Sequence, residues 1–326
     1  MRKLSLLMAL ALLLTAFSGC AAEEALLPAD DGKLSVVTTI FPPYDFARAL
    51  GGDKVNVRML LSPGEEVHTY EPTPQDIIAI SECEVFIYTG GESDAWVEDV
   101  LSSIDRSDMT VLRMMDCVEL FTEAVVEGMQ EGGHNHDHDE DECNEHHHED
   151  VEYDEHVWTS PVNALAICEA ISASFCEHNR ANAQFYTSQL AAYSAHLKAL
   201  DADLRDAVAT AKRNTIVFSD RFPARYFAEE YGLTYFAAFP GCASQSEASA
   251  KTVAFLIDKV RTEDIPVVFT VEFSNGRMAE TICSETDALT LQFHSCHNLT
   301  KDEFEAGMTY LDIMRQNAGN LRIALN

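Results

Sequence analysis

Between residues 181 and 212 the chain contains no glycine or proline. Phe185, Leu190, Tyr193, Leu197, Leu200, Leu204 and Val208 recur there at helical spacing. At 1.5 Å per residue this is a helix on the order of 45 Å long, well beyond the usual globular length. A rod of that length can bridge two lobes, so the chain is read as an N-terminal α/β lobe over 34–180, a long linking helix over 181–213 and a C-terminal α/β lobe over 214–326.

Both flanks alternate between the strand and helix periods. Residues 34–41 are β-branched and read as a buried strand that Pro42-Pro43 closes, followed by a helix over 44–50 that ends at Gly51-Gly52. Strands are predicted over 55–61, 85–89 and 110–115, with helices over 75–81, from Trp96, and over 162–175 after Thr159-Ser160-Pro161. Past the linking helix, strands at 215–218, 235–239, 267–271 and 289–293 alternate with helices at 225–231, 248–263, 278–286 and 301–324. Strands that alternate with helices imply parallel sheets.

The amino terminus is Met1-Arg2-Lys3, then an apolar run over 4–17, then Ser18-Gly19-Cys20. The run is too short for a stable span and reads as a secretory signal over 1–19. Its end resembles a bacterial lipobox, which makes Cys20 an acylated first residue and 20–33 a tether. The protein is then expected outside the cytoplasmic membrane, anchored by lipid, or in the periplasm. Twenty-two basic against 54 acidic side chains give a formal charge of −32, which excludes nucleic acid and anionic surfaces as good partners and favours cations. The other eight cysteines contain no CxxC pair.

Periodicity fails over about 128–154, an acidic loop that carries His134, His136, His138, His146, His147 and His148. Imidazole with carboxylate is the ligand set of borderline divalent metals, so the loop is expected to provide weak metal sites. Two isolated histidines are stronger candidates. His68 lies in a proline-rich loop at the carboxyl end of a strand, where open α/β sheets place their ligands. His156 precedes a helix start in Glu155-His-Val-Trp158.

Five segments carry a resemblance: Thr38-Thr-Ile-Phe-Pro-Pro-Tyr-Asp-Phe46, the stretch from Gly64 to Asp76 around His68, the stretch from Tyr88 to Trp96, Asp154-Glu-His-Val-Trp-Thr-Ser-Pro161, and the long helix. In order, they resemble the zinc and manganese solute-binding lipoproteins of bacterial ABC importers (the cluster A-I family), nearest the zinc branch with a His-rich loop. The resemblance implies two α/β lobes with parallel sheets, one long rigid helix between them, and the metal in the inter-lobe cleft. It makes His68 and His156 the first two ligands. The third ligand of such proteins, a His or Glu, falls in Phe218-Ser-Asp-Arg-Phe222, where neither occurs. Asp220 is the nearest donor, although Arg221 could pair with it, and Glu247 is a lesser candidate. The fourth position, usually Asp, aligns with Phe293-His-Ser-Cys-His297, where His294 is the expected ligand and His297 the alternative. Cys242 and Cys296 are a possible disulfide across the ligand side of the second lobe, with a thiolate ligand as the rival. His178 and His196 are read as ordinary helix residues and Trp158 as packing.

These readings give a monomeric, non-enzymatic extracytoplasmic protein that captures Zn2+ and delivers it to an ABC permease. Manganese prefers more oxygen donors. A Mn2+ or other divalent-metal importer component, a metal buffer and an adhesin on the same fold are the rivals. A zinc hydrolase would need an open water position and a base such as Glu65 or Glu66, and the chain has no HExxH.

Overall fold

The computed structural model describes residues 32–130, 152–243 and 248–326. The signal and tether with Cys20, the six histidines of the acidic loop, and Glu247 lie outside the described residues. Among the described residues no helix is long and apolar enough to cross a membrane.

The first lobe holds β1 (Leu34–Thr38), β2 (Val55–Met59), β3 (Val85–Tyr88) and β4 (Thr110–Arg113), all parallel in the order β2-β1-β3-β4. Three helices connect them: α1 (Phe41–Gly51), α2 (Pro74–Glu82) and α3 (Trp96–Ser103). Pro42 and Pro43 do not close the first strand; they start α1. The first helical turn is where a missing N–H costs nothing and a fixed φ helps. α4 (Pro161–His178) completes the lobe, and its N-cap Ser160 hydroxyl accepts from the N–H groups of Val162 and Asn163.

The linking helix α5 (Ala183–Ala209) buries Tyr186, Tyr193, Leu197, Leu200, Leu204 and Ala207. Their three- and four-residue spacing keeps them on one face, against α4 and the C-terminal helix. The second lobe repeats the first in strand order. β5 (Thr215–Phe218), β6 (Thr234–Phe236), β7 (Val267–Thr270) and β8 (Leu289–Gln292) lie parallel as β6-β5-β7-β8. They are covered by α6 (Arg225–Tyr231), α7 (Ala250–Thr262) and α8 (Arg277–Ser284).

The single helix expected over 301–324 is two, α9 (Lys301–Glu305) and α10 (Tyr310–Ala324). Gly307 sits at φ 71°, a left-handed conformation that ends a helix cheaply only at glycine. Thr309 with Asp312 then forms a capping box that starts the next helix.

One hydrophobic cluster runs through both lobes, from Val36 and Phe46 through Trp158 and Leu200 to Phe218, Phe293 and Met314. Polar contacts fasten the lobes where their strands end. The Phe41 N–H donates to the His297 carbonyl at 3.2 Å, and Gly64 N–H to Leu299 O at 2.7 Å. Asn298 Nδ2 donates to the carbonyls of Ser62 and Glu65, and the Trp158 indole N–H to Ser295 O at 2.7 Å.

Candidate metal centre

The carboxyl ends of the two sheets face a small cavity lined by Glu65, Glu66, His68, His156, Arg221 and His297, among others. Its volume is about 40 Å³, more than the roughly 10–15 Å³ that admits one water. A metal ion fits such a space.

Three histidines converge there. One ring nitrogen from each of His68, His156 and His297 lies within 4.8 Å of the others. Ring centroids are 4.6 Å apart for His156 and His297 and 5.5 Å for His68 and His297. His68 sits in the short turn Val67–Thr69 beyond β2, its Nδ1 3.0 Å from Ser93 Oγ. That contact leaves Nε2 for the cavity. His156 is fully buried, and Asp154 Oδ1 accepts both its backbone N–H (2.8 Å) and Nδ1–H (3.0 Å). This carboxylate fixes the tautomer and leaves Nε2 as a lone-pair donor, the usual arrangement behind a metal-binding imidazole. No protein group satisfies that buried Nε2. His297 reaches the cavity on the loop after β8, over the Trp158 ring.

The electrostatics suit neutral imidazoles at two positions. Burial, then His156 and Arg221, push His68 down to about 3. Burial, His156 and His68 hold His297 well below its ordinary value. For His156, burial works downward, but the charge and hydrogen bond of Asp154 together with the charges of Glu155 and Glu123 make the net shift upward. Gly241 gives the site its clearance. A Cβ there would lie 2.8 Å from the Phe222 carbonyl and 3.1 Å from His156 Cε1.

The other expected site residues are elsewhere. His294 is buried and is not among the residues that line the cavity. Its backbone N–H donates to Asn317 Oδ1, its carbonyl accepts from Asn317 Nδ2, and its Nδ1 accepts from the Cys296 N–H at 2.9 Å. The nearest carboxylate oxygens are Glu272 at 3.7 Å and Glu303 at 4.0 Å. The expected register in this loop is therefore corrected by three residues. Cys296, at φ 66°, turns the chain so that His297 enters the cleft; such strained residues gather at functional sites. Asp220 is also outside the group. Its two oxygens accept from Ser274 and Ser219, and Arg221 pairs with Glu66 at 3.0 Å instead. The possible Cys242–Cys296 disulfide is not formed, both thiols being free. Cys296 lies buried within the turn, and Cys242 lies with Glu123 and Glu152, ligand atoms within 4.8 Å. His178 bonds Thr110 Oγ1 and His196 is exposed on α5.

Sequence reasoning gave no role to Asp154 or Ser93. Asp154 had a readable signal, since an acidic residue two places before a histidine can bond its backbone and ring together. Ser93 had none, being brought to His68 by the fold alone.

The family model described as zinc-uptake complex component A, periplasmic (ZnuA) matches residues 36–324. The zinc-binding lipoprotein AdcA of Streptococcus pneumoniae is 30% identical over 99% of this chain, which spans 61% of that protein's length. The high-affinity zinc uptake system protein ZnuA of Bacillus subtilis is 30% identical over 96% of this chain and 94% of its own. The solved Zn(II)-bound ZnuA-like domain of Streptococcus pneumoniae AdcA superposes with a TM-score of 0.73 at 25% identity, covering 90% of this chain and 99% of that one. Two parallel-sheet lobes with a long helix, matched over nearly the whole chain, establish that this protein belongs to the ZnuA zinc-uptake complex component A family.

Proposed function

We propose that this protein captures Zn2+ in the cleft between its lobes, through His68, His156 and His297, and hands it to an ABC permease. The observation that carries this reading is the convergence of three imidazoles from both lobes on a cavity of ionic size. Nitrogen donors favour zinc over manganese in the divalent affinity order. The names of the relatives, zinc-binding and zinc-uptake proteins, point the same way. The zinc ion is cargo, so no catalytic step is assigned to the cleft. Residues 1–19 are read as a signal, Cys20 as the lipid attachment, 20–33 as a tether, and 34–180, 181–213 and 214–326 as lobe, linker and lobe of a monomer. The histidines over 134–148 act as a weak chelating antenna.

Calorimetry separates the two kinds of site. With the six loop histidines changed to asparagine, one tight Zn2+ site should remain and the weak ones vanish, because the three cleft histidines lie outside that tract. Loss of the tight site in that variant would contradict the assignment.

A further inference from the structure

Arg221 is the only lysine or arginine among the described residues that line the cavity. A permanent positive charge beside a cation site opposes the cargo, so its position needs a reason. It does not rest on its neighbour Asp220, whose oxygens are engaged by Ser219 and Ser274. Its Nη1 reaches across the cleft to Glu66 Oε1 at 3.0 Å, a partner from the other lobe 155 positions away in sequence. Of the remaining carboxylates on the wall, Glu272 is held by both the N–H and the hydroxyl of Ser295, and Glu65 accepts from the Ser62 N–H. Glu66 is the group that moderates the guanidinium.

We propose that Arg221 is an affinity-lowering countercharge that lets the cleft release its ion, and that Glu66 sets how much of that charge the ion feels. The inference rests on the reading that the cleft holds the cargo. Arg221 lines the same small cavity as His68, His156 and His297. A fixed positive charge on that wall repels a divalent ion held by the three rings. Replacing the guanidinium by a neutral amide therefore tightens the site, whereas neutralising Glu66 leaves Arg221 uncompensated and weakens it. Glu66 is in this sense a positioning residue that acts through Arg221.

The test is competition between the full chain and a fluorescent chelator for Zn2+, read as Kd and release rate, for R221Q, E66Q, the double variant and H156A. Expected are tighter binding and slower release for R221Q by about tenfold, and a loss of about tenfold for E66Q. In the R221Q background, E66Q should change affinity by less than about threefold, since coupled residues are not additive. If the ion pair only braced the lobes, both single variants would shift affinity in the same direction, and that result would overturn the proposal. So would an unchanged R221Q, or an E66Q loss that persists in full beside R221Q, which would make Glu66 a direct donor to the ion. H156A separates the levels. A tight site that survives H156A overturns the cleft reading and this inference together; a site abolished by H156A but indifferent to R221Q overturns this inference alone.

Discussion

His294 and His297 sit three residues apart in one loop, and the backbone between them decides which faces the cavity. His294 spends its Nδ1 on the Cys296 N–H and is tied to Asn317 through both backbone groups. His297 lies against the His68 and His156 rings. His297→Ala should therefore weaken Zn2+ binding by orders of magnitude in a chelator titration, as should His68→Ala or His156→Ala. His294→Ala should change affinity little while lowering thermal stability, because it strips a partner from a buried N–H, a loss of ~1–3 kcal/mol. The reverse ranking would restore the register expected from sequence. His68 and His156 were legible because a strand end and a helix start flank them in the text. His297 was not, since its selection depends on one left-handed residue, Cys296, whose conformation no composition or periodicity reveals.

The elements were read from sequence wherever a hydrophobic period ran long enough to average over local chemistry. The linking helix is the clearest case, and its buried face matches the apolar positions at Tyr193, Leu197, Leu200 and Leu204. Leu200→Ala should destabilise the protein by about 2–5 kcal/mol in urea unfolding, the range for deleting a buried leucine side chain. A change under about 1 kcal/mol would mean that this face is not packed as described. The split between α9 and α10 was missed because Gly307 was absorbed into an otherwise continuous apolar period. The same junction carries a pH-sensitive contact. Asp45 of α1 accepts the Tyr310 N–H at the start of α10 at 2.9 Å. Burial raises its pKa from 3.8 to about 6, against that bond and Arg48.

A carboxyl with a raised folded pKa binds its proton more tightly in the native state than in the unfolded chain. Its contribution to stability is complete below pH about 4 and is lost as pH rises through about 6. Zinc-free wild type should thus gain up to about 3 kcal/mol relative to Asp45→Asn between pH 7.5 and 4. Parallel pH profiles for the two would show that Asp45 titrates normally.

At the scale of the molecule, the two sheets share one strand order and meet where their carboxyl ends face each other. That arrangement places loops from both halves around one cavity. The core is continuous through the junction, and Trp158 and Tyr310 tie the first lobe to the second through Ser295 and the Trp158 carbonyl. Two α/β halves and a bridging rod were apparent in the alternation of periods. The pairing of Arg221 with Glu66 rather than Asp220 was not, because it joins residues 155 positions apart that only the fold brings together.

The central claim is that three histidines from both lobes hold one zinc ion, and zinc-edge anomalous diffraction from crystals grown with one equivalent of Zn2+ tests it most directly. One strong peak is expected at ~2.0–2.1 Å from Nε2 of His68, Nε2 of His156 and a ring nitrogen of His297. A principal peak bonded to His294 or Asp220, or lying outside the cleft, would contradict it.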